Sequence, residues 1–129
     1  MPFIRIAVAK GTTAAVKQAV SNAIHNALVT AFNVPEADKF QLFSEVGPED
    51  LVCTPEYLGI RYSPKVTFIQ IVANEGRTVE MKKNLYRSIA SAIAETTDIP
   101  AADVFINLVE VKKENWSFGN GLAQYAPTE

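Results

Sequence analysis

Cysteine, histidine and tryptophan are each present once in this chain of 129 residues. A lone cysteine, Cys53, cannot close an internal disulfide. One His beside one Cys leaves no zinc constellation, so neither a metal nor any other cofactor is expected. No stretch of 18 apolar residues is present, and the start of the chain lacks a charged lead followed by an apolar run and a cleavage site. A soluble cytoplasmic protein without a membrane partner is the expectation. Twelve Lys and Arg against 14 Asp and Glu give a net charge of −2, and the cations are spread out, which argues against a nucleic-acid partner. What the chain does have is apolar content, at 48%. A chain of this length reads as one domain that buries roughly 68% of its unfolded surface, enough to fold without staples.

The chain is one unit written twice, with an offset of 65 residues. Phe3-Ile4-Arg5-Ile6 meets Phe68-Ile69-Gln70-Ile71, Gly11 meets Gly76, Lys17 meets Lys82, Asp38 meets Asp103, and Glu45-Val46 meets Glu110-Val111. Of the 44 positions from 3 to 46, 14 are identical to their partners, so the two stretches are copies. Each copy reads strand, turn, helix, turn, strand. The runs Phe3 to Ala9 and Lys65 to Ala73 are short, apolar and rich in Ile and Val. Thr13 and Thr78 are candidate N-caps, and apolar residues then recur at helical spacing from Val16 and from Met81. Pro35 and Pro100 stop the helices. Phe40 to Val46 and Val104 to Val111 close the units.

These patterns predict an α+β fold. A duplicated β-α-β unit, about residues 2–47 and 66–112, forms a four-stranded mixed sheet with two helices on one face and a C-terminal tail. The first strand of each unit is apolar at nearly every position, as in strands covered on both faces. Two helices cover only one face, so an obligate homo-oligomer is expected. The alternative is that the loop Gly47 to Pro64 and the tail after Lys113 fold over the second face.

Pro2 precedes the first strand. Were Met1 trimmed, Pro2 would carry a free secondary amine, which a proline inside a chain lacks. Its partner in the second copy is Thr67, at the head of a buried strand, so Pro2 should sit at a sheet edge rather than on a fraying tail. An α-amino group titrates near 7.7–8.0, and burial or a nearby cation lowers that value toward what proton abstraction next to a carbonyl needs.

An N-terminal proline, a β-α-β unit of this length and its duplication resemble the tautomerase superfamily over the whole chain. The tail from Trp116 through Phe118 to Tyr125 is similar to the malonate semialdehyde decarboxylase branch. That resemblance implies a proline base at Pro2, a water-activating aspartate at Asp38, an apolar pocket wall at Trp116, Phe118 and Tyr125, and a trimeric assembly. The branch's two arginines fall on Glu75 and Arg77, so one is replaced by an acid. A 3-oxo acid needs its carboxylate held and its developing charge stabilised, and Glu75 works against both. Enol–keto exchange of a small 2-oxo acid such as phenylpyruvate asks only for one base, Pro2, and one cation, Arg77. That exchange is the expected activity. The rivals are decarboxylation or hydration of a 3-oxo acid such as malonate semialdehyde, and a scaffold protein with little catalysis.

Several of these residues also have plainer readings. Asp38 has Asp103 as its repeat partner, so it serves either catalysis or the turn. Arg77 stands at a helix start, an unfavourable place for a cation unless it grips an anion there. Trp116 and Phe118 could pack on a neighbouring subunit. His25 reads as a partly exposed residue in mid-helix.

Overall fold

The computed structural model describes residues 1–127. Six strands and two long helices follow in chain order: β1 (Phe3–Ala9), α1 (Ala14–Phe32), β2 (Gln41–Val46), β3 (Glu56–Tyr57), β4 (Ile60–Arg61), β5 (Thr67–Asn74), α2 (Val79–Thr96) and β6 (Val104–Val111). Strands β3 and β4 form a small hairpin inside the long central loop. The other four strands make one sheet in the order β2-β1-β5-β6.

The register of this sheet follows the 65-residue offset. Ile4 stands beside Gln41 in the parallel pair β1–β2, and Ile69 stands beside Ile106 in β5–β6, each 65 residues further on. Between the copies, β1 and β5 run antiparallel, with Arg5 opposite Gln70 at the centre and Phe3 opposite Val72. The sheet is therefore mixed, and a pseudo-twofold axis passes between Arg5 and Gln70. The turns obey the same symmetry. Thr13 Oγ1 accepts from the Val16 amide and Thr78 Oγ1 from the Met81 amide, each at 3.2 Å, satisfying orphan helix donors. The Lys17–Glu45 and Lys82–Glu110 ion pairs, both 2.7 Å, are copies of one another.

Both helices pack on the same face. Ile4, Ile6, Val8, Ile69 and Ile71 point into a core closed by Val20, Ile24 and Leu28 of α1 and Leu85, Ile89 and Ile93 of α2, all essentially inaccessible to water. His25 belongs to this buried set rather than to the surface. It is 8% exposed, and its Nε2 lies 2.8 Å from the Glu36 carbonyl, which can only accept. The turn after α1 folds back over this helix position, which helical spacing alone does not reveal.

The opposite face is open. The register puts Phe3, Arg5, Ala7, Leu42, Phe68 and Phe105 on it, with Leu42 49% and Phe105 43% exposed. Among the described residues, the central loop and the tail leave Leu42 and Phe105 exposed. A depression of about 510 Å³ lies on this face, bordered by Arg5, Ser44, Phe68, Gln70, Phe105 and Asn107. None of the candidate site residues borders it. Among the described residues, no helix is long and apolar enough to cross a membrane.

Candidate active site

The topology gathers distant segments at one end of the sheet. Antiparallel pairing lays the start of β1 beside the end of β5, since Phe3 opposes Val72. Parallel pairing puts Gln41, just after the Asp38 turn, beside Ile4. It also puts Val111 beside Asn74, and the Glu75 amide donates to the Val111 carbonyl at 2.9 Å. The amino terminus, Asp38, the Asn74–Arg77 turn and the segment leading to Trp116 thus meet at one corner within a single chain.

Pro2 is buried at this corner, and Met1 ahead of it is half-buried. The terminal amine of Met1 is held below its ordinary value of 8.0. Burial is the main cause, the positive charge of Arg77 adds to it, Lys113 adds a little more, and Asp38 opposes them. Trimming Met1 would move the free amine one residue inward, onto the buried proline.

Arg77 has a structural partner that its position in the sequence conceals. It precedes the Thr78 N-cap of α2, but its side chain turns away from that helix. Nη2 donates to the Phe32 carbonyl at 3.2 Å, Nη1 donates to the Asn74 carbonyl at 2.9 Å, and the guanidinium carbon lies 4.9 Å from the Phe32 ring centre. Phe32 is the last residue of α1, so the cation sits at that helix's negative end and satisfies an orphan carbonyl. A guanidinium has five N–H donors, so donors remain for an anionic ligand.

Asp38 and Asp103 share a turn but not a role. Their amides donate alike to Pro35 and Pro100, each at 2.9 Å. The Asp103 side chain is fully buried; Oδ1 accepts from the Ser63 amide at 2.8 Å and Oδ2 accepts from the Ser63 hydroxyl, tying down the end of the central loop. Asp38 is half-buried, and its carboxylate accepts no hydrogen bond among the described residues. It faces the terminal amine electrostatically instead. The turn function therefore resides in the backbone, and the Asp38 side chain is available to a ligand.

The aromatic residues of the tail form a series of rings. Trp116 stacks on Phe118 with centroids 5.5 Å apart, and Phe118 and Tyr125 meet in a T-shaped pair with centroids 4.8 Å apart. The Phe118 amide donates to Gln124 Oε1 at 3.0 Å. Positive φ values at Gly119, Asn120 and Gly121 (144°, 59° and 70°) make the tight reversal that brings Tyr125 back to Phe118. Trp116 Nε1 donates to Asn74 Oδ1 at 2.7 Å, which fastens the series to the end of β5.

The pseudo-twofold axis creates a second corner with different chemistry. Thr67 stands there for Pro2, Thr12 for Arg77, Lys10 for Glu75 and Asp98 for Asn33. A cavity of about 230 Å³ remains, lined by Lys10, Thr12, Lys65, Thr67 and Asp98 among others, and a 2.8 Å Lys65–Asp98 ion pair lies beside it. This corner has no terminal amine.

Two residues at the first corner escaped sequence reasoning, Asn74 and Lys113. For Asn74 a signal existed: a polar residue ends an apolar strand where its repeat partner is Ala9. Lys113, in the turn after β6, stood beyond the repeat, and nothing in the sequence marked it.

A buried proline at position 2, a Met1 amine whose protonated form is disfavoured by burial and nearby cations, and a series of aromatic rings meet at one end of a duplicated β-α-β scaffold. Comparison with known proteins places it. Residues 38–119 match one family of tautomerase enzymes, and residues 2–61 match a second. A protein of Bacillus subtilis (strain 168) described as probable tautomerase YusQ is 38% identical over 96% of this chain and 98% of its own. A malonate semialdehyde decarboxylase structure inhibited by 3-bromopropiolate is 33% identical, covers 95% of this chain and 93% of that one, and superposes with a TM-score of 0.87. Another malonate semialdehyde decarboxylase, described with decarboxylase and hydratase activities, is 30% identical over 95% of each chain, also with a TM-score of 0.87. The chain belongs to the tautomerase family and resembles the malonate semialdehyde decarboxylase branch within it.

Proposed function

We propose that this protein interconverts the enol and keto forms of a small 2-oxo acid such as phenylpyruvate, with the Pro2 amine carrying the proton. The observation that supports this most directly is the position of the amino terminus, with Met1 half-buried and Pro2 buried near the charge of Arg77 in the same chain. A base needs to be unprotonated near neutral pH, and burial with adjacent cations favours that form. In the proposed cycle the amine takes the hydroxyl proton of the enol and returns it to the carbon next to the carbonyl. The remaining Arg77 donors hold the carboxylate, with Trp116, Phe118 and Tyr125 against the substituent.

The unbonded Asp38 carboxylate favours a second reading, in which Asp38 activates water for decarboxylation or hydration of a 3-oxo acid. One set of assays separates the two. Protein whose intact mass shows Met1 removed should ketonise phenylpyruvate enol, and protein retaining Met1 should not. Asp38→Asn should leave this activity within about fivefold, because proton transfer then needs only Pro2. Were water activation the real role, Asp38→Asn would instead abolish turnover of malonate semialdehyde, and phenylpyruvate would be inert with every variant.

The assembly is proposed to be a homotrimer. The open sheet face, with Leu42 and Phe105 exposed, supports association, and the number three comes from the family resemblance. Light scattering should give about 42 kDa, three times the 14.1 kDa chain. Leu42→Asp combined with Phe105→Asp should yield monomers. A double variant that keeps the native mass would place the interface elsewhere.

A further inference from the structure

The geometry points to Asn74 as a positioning residue that sets the aromatic wall of the site, and with it a preference for 2-oxo acids bearing an aromatic substituent. This rests on the reading of Trp116 as part of the substrate pocket. Asn74 is the last residue of β5, half-buried and paired with Val111 of β6. Among the described residues it is the one bonded to both halves of the proposed pocket. Its carbonyl accepts from Arg77 Nη1 at 2.9 Å, and its side-chain oxygen accepts from Trp116 Nε1 at 2.7 Å. The distance between the carboxylate-gripping cation and the apolar wall is thereby set through a single residue.

The side-chain bond is the part not demanded by the fold. In the second corner the Thr12 hydroxyl donates to the carbonyl of Ala9, the repeat partner of Asn74, so the turn-to-strand contact recurs there. Ala9 has no polar side chain and holds no aromatic group. The Asn74–Trp116 bond therefore occurs only where the terminal amine is. It also determines what Trp116 offers a ligand. An indole N–H is the ring's only polar group and can only donate. With that group turned to Asn74, Trp116 presents apolar ring surface. Trp116 stacks on Phe118, and Phe118 forms a T-shaped pair with Tyr125, so this bond anchors one end of the three-ring series.

Trp116 is the only tryptophan in the chain, so its fluorescence reads the contact independently of activity. Asn74→Ala should shift the emission to longer wavelength and increase quenching by acrylamide. Asn74→Asp, which keeps an acceptor, should restore the native emission. In the Asn74→Ala enzyme the KM for phenylpyruvate should rise about tenfold with kcat changed less than about threefold, and the KM for pyruvate, which has no ring, should change less than about twofold. In a Trp116→Phe background, Asn74→Ala should add nothing. Native-like fluorescence in Asn74→Ala, or a KM increase that persists without Trp116, would overturn the assignment. If the parent enzyme turns over neither acid, the proposed activity is lost. The emission of Asn74→Ala against Asn74→Asp, with phenylpyruvate titrated against it, still decides whether Asn74 positions the wall.

Discussion

Pro2→Ala is expected to lower kcat/KM for phenylpyruvate ketonisation by about 100-fold, the lower end of what a positioned proton carrier contributes. The processed Pro2→Ala protein keeps a terminal amine, which is why the loss is not larger. It loses the ring that fills a buried site and holds the nitrogen at a fixed angle to the strand. The pH dependence makes the test specific. Burial and Arg77 hold the Met1 amine below 8.0. The Pro2 amine freed by trimming would lie at the same corner, so kcat/KM is expected to rise with pH through a basic limb lowered by the same causes and level off once the amine is neutral. Arg77→Ala and Lys113→Ala each remove a cation that lowers the amine, so both should move the limb to higher pH. Asp38 raises the amine, so Asp38→Asn should move it lower. The same depression weakens the fold at low pH, where the amine must be protonated, and that cost disappears as pH rises through the lowered value to 8.0. Full activity in Pro2→Ala, with an unchanged limb, would remove the amine from the mechanism.

Arg77→Ala should reduce kcat/KM by roughly 100- to 1000-fold, as removing a charge-assisted partner from a carboxylate does. It should also lower stability by about 1 kcal/mol, since the Phe32 carbonyl loses its donor and the Phe32 ring loses its cation. For a chain of this size that is a Tm decrease of about 4 °C. Arg77→Lys should recover part of the binding but not the two-point contact, because an ammonium lacks the planar fork. A variant that lowers Tm while leaving KM and kcat unchanged would make Arg77 a helix cap and nothing more.

Glu75 and Arg77 show how an ambiguous sequence position divides into separate roles. Glu75 is exposed, and its amide completes the ladder to Val111. Arg77 looked misplaced at the start of α2 because helix preference was judged within its own unit. Its partner is the end of α1, 45 residues away, and there the charge has the favourable sign. Asp38 and Asp103 carry the same lesson in reverse. Identity across the repeat suggested one turn function for both, yet the backbone bonds are shared and the carboxylates are not.

The amino-acid sequence alone determined the duplicated strand–helix–strand units and both N-caps. These depend on local periodicity and on a repeat that can be counted along the chain. Tertiary structure alone decided which corner holds the amine's neighbours, which helix end Arg77 serves, that Ser63 claims Asp103 but not Asp38, and that Asn74 holds Trp116. Those contacts join residues 40 or more positions apart; Ser63–Asp103 and Asn74–Trp116 form once β5 and β6 pair, and Arg77–Phe32 once β1 and β5 pair across the pseudo-twofold axis. Neither periodicity nor composition specifies which side chains meet once that pairing is made.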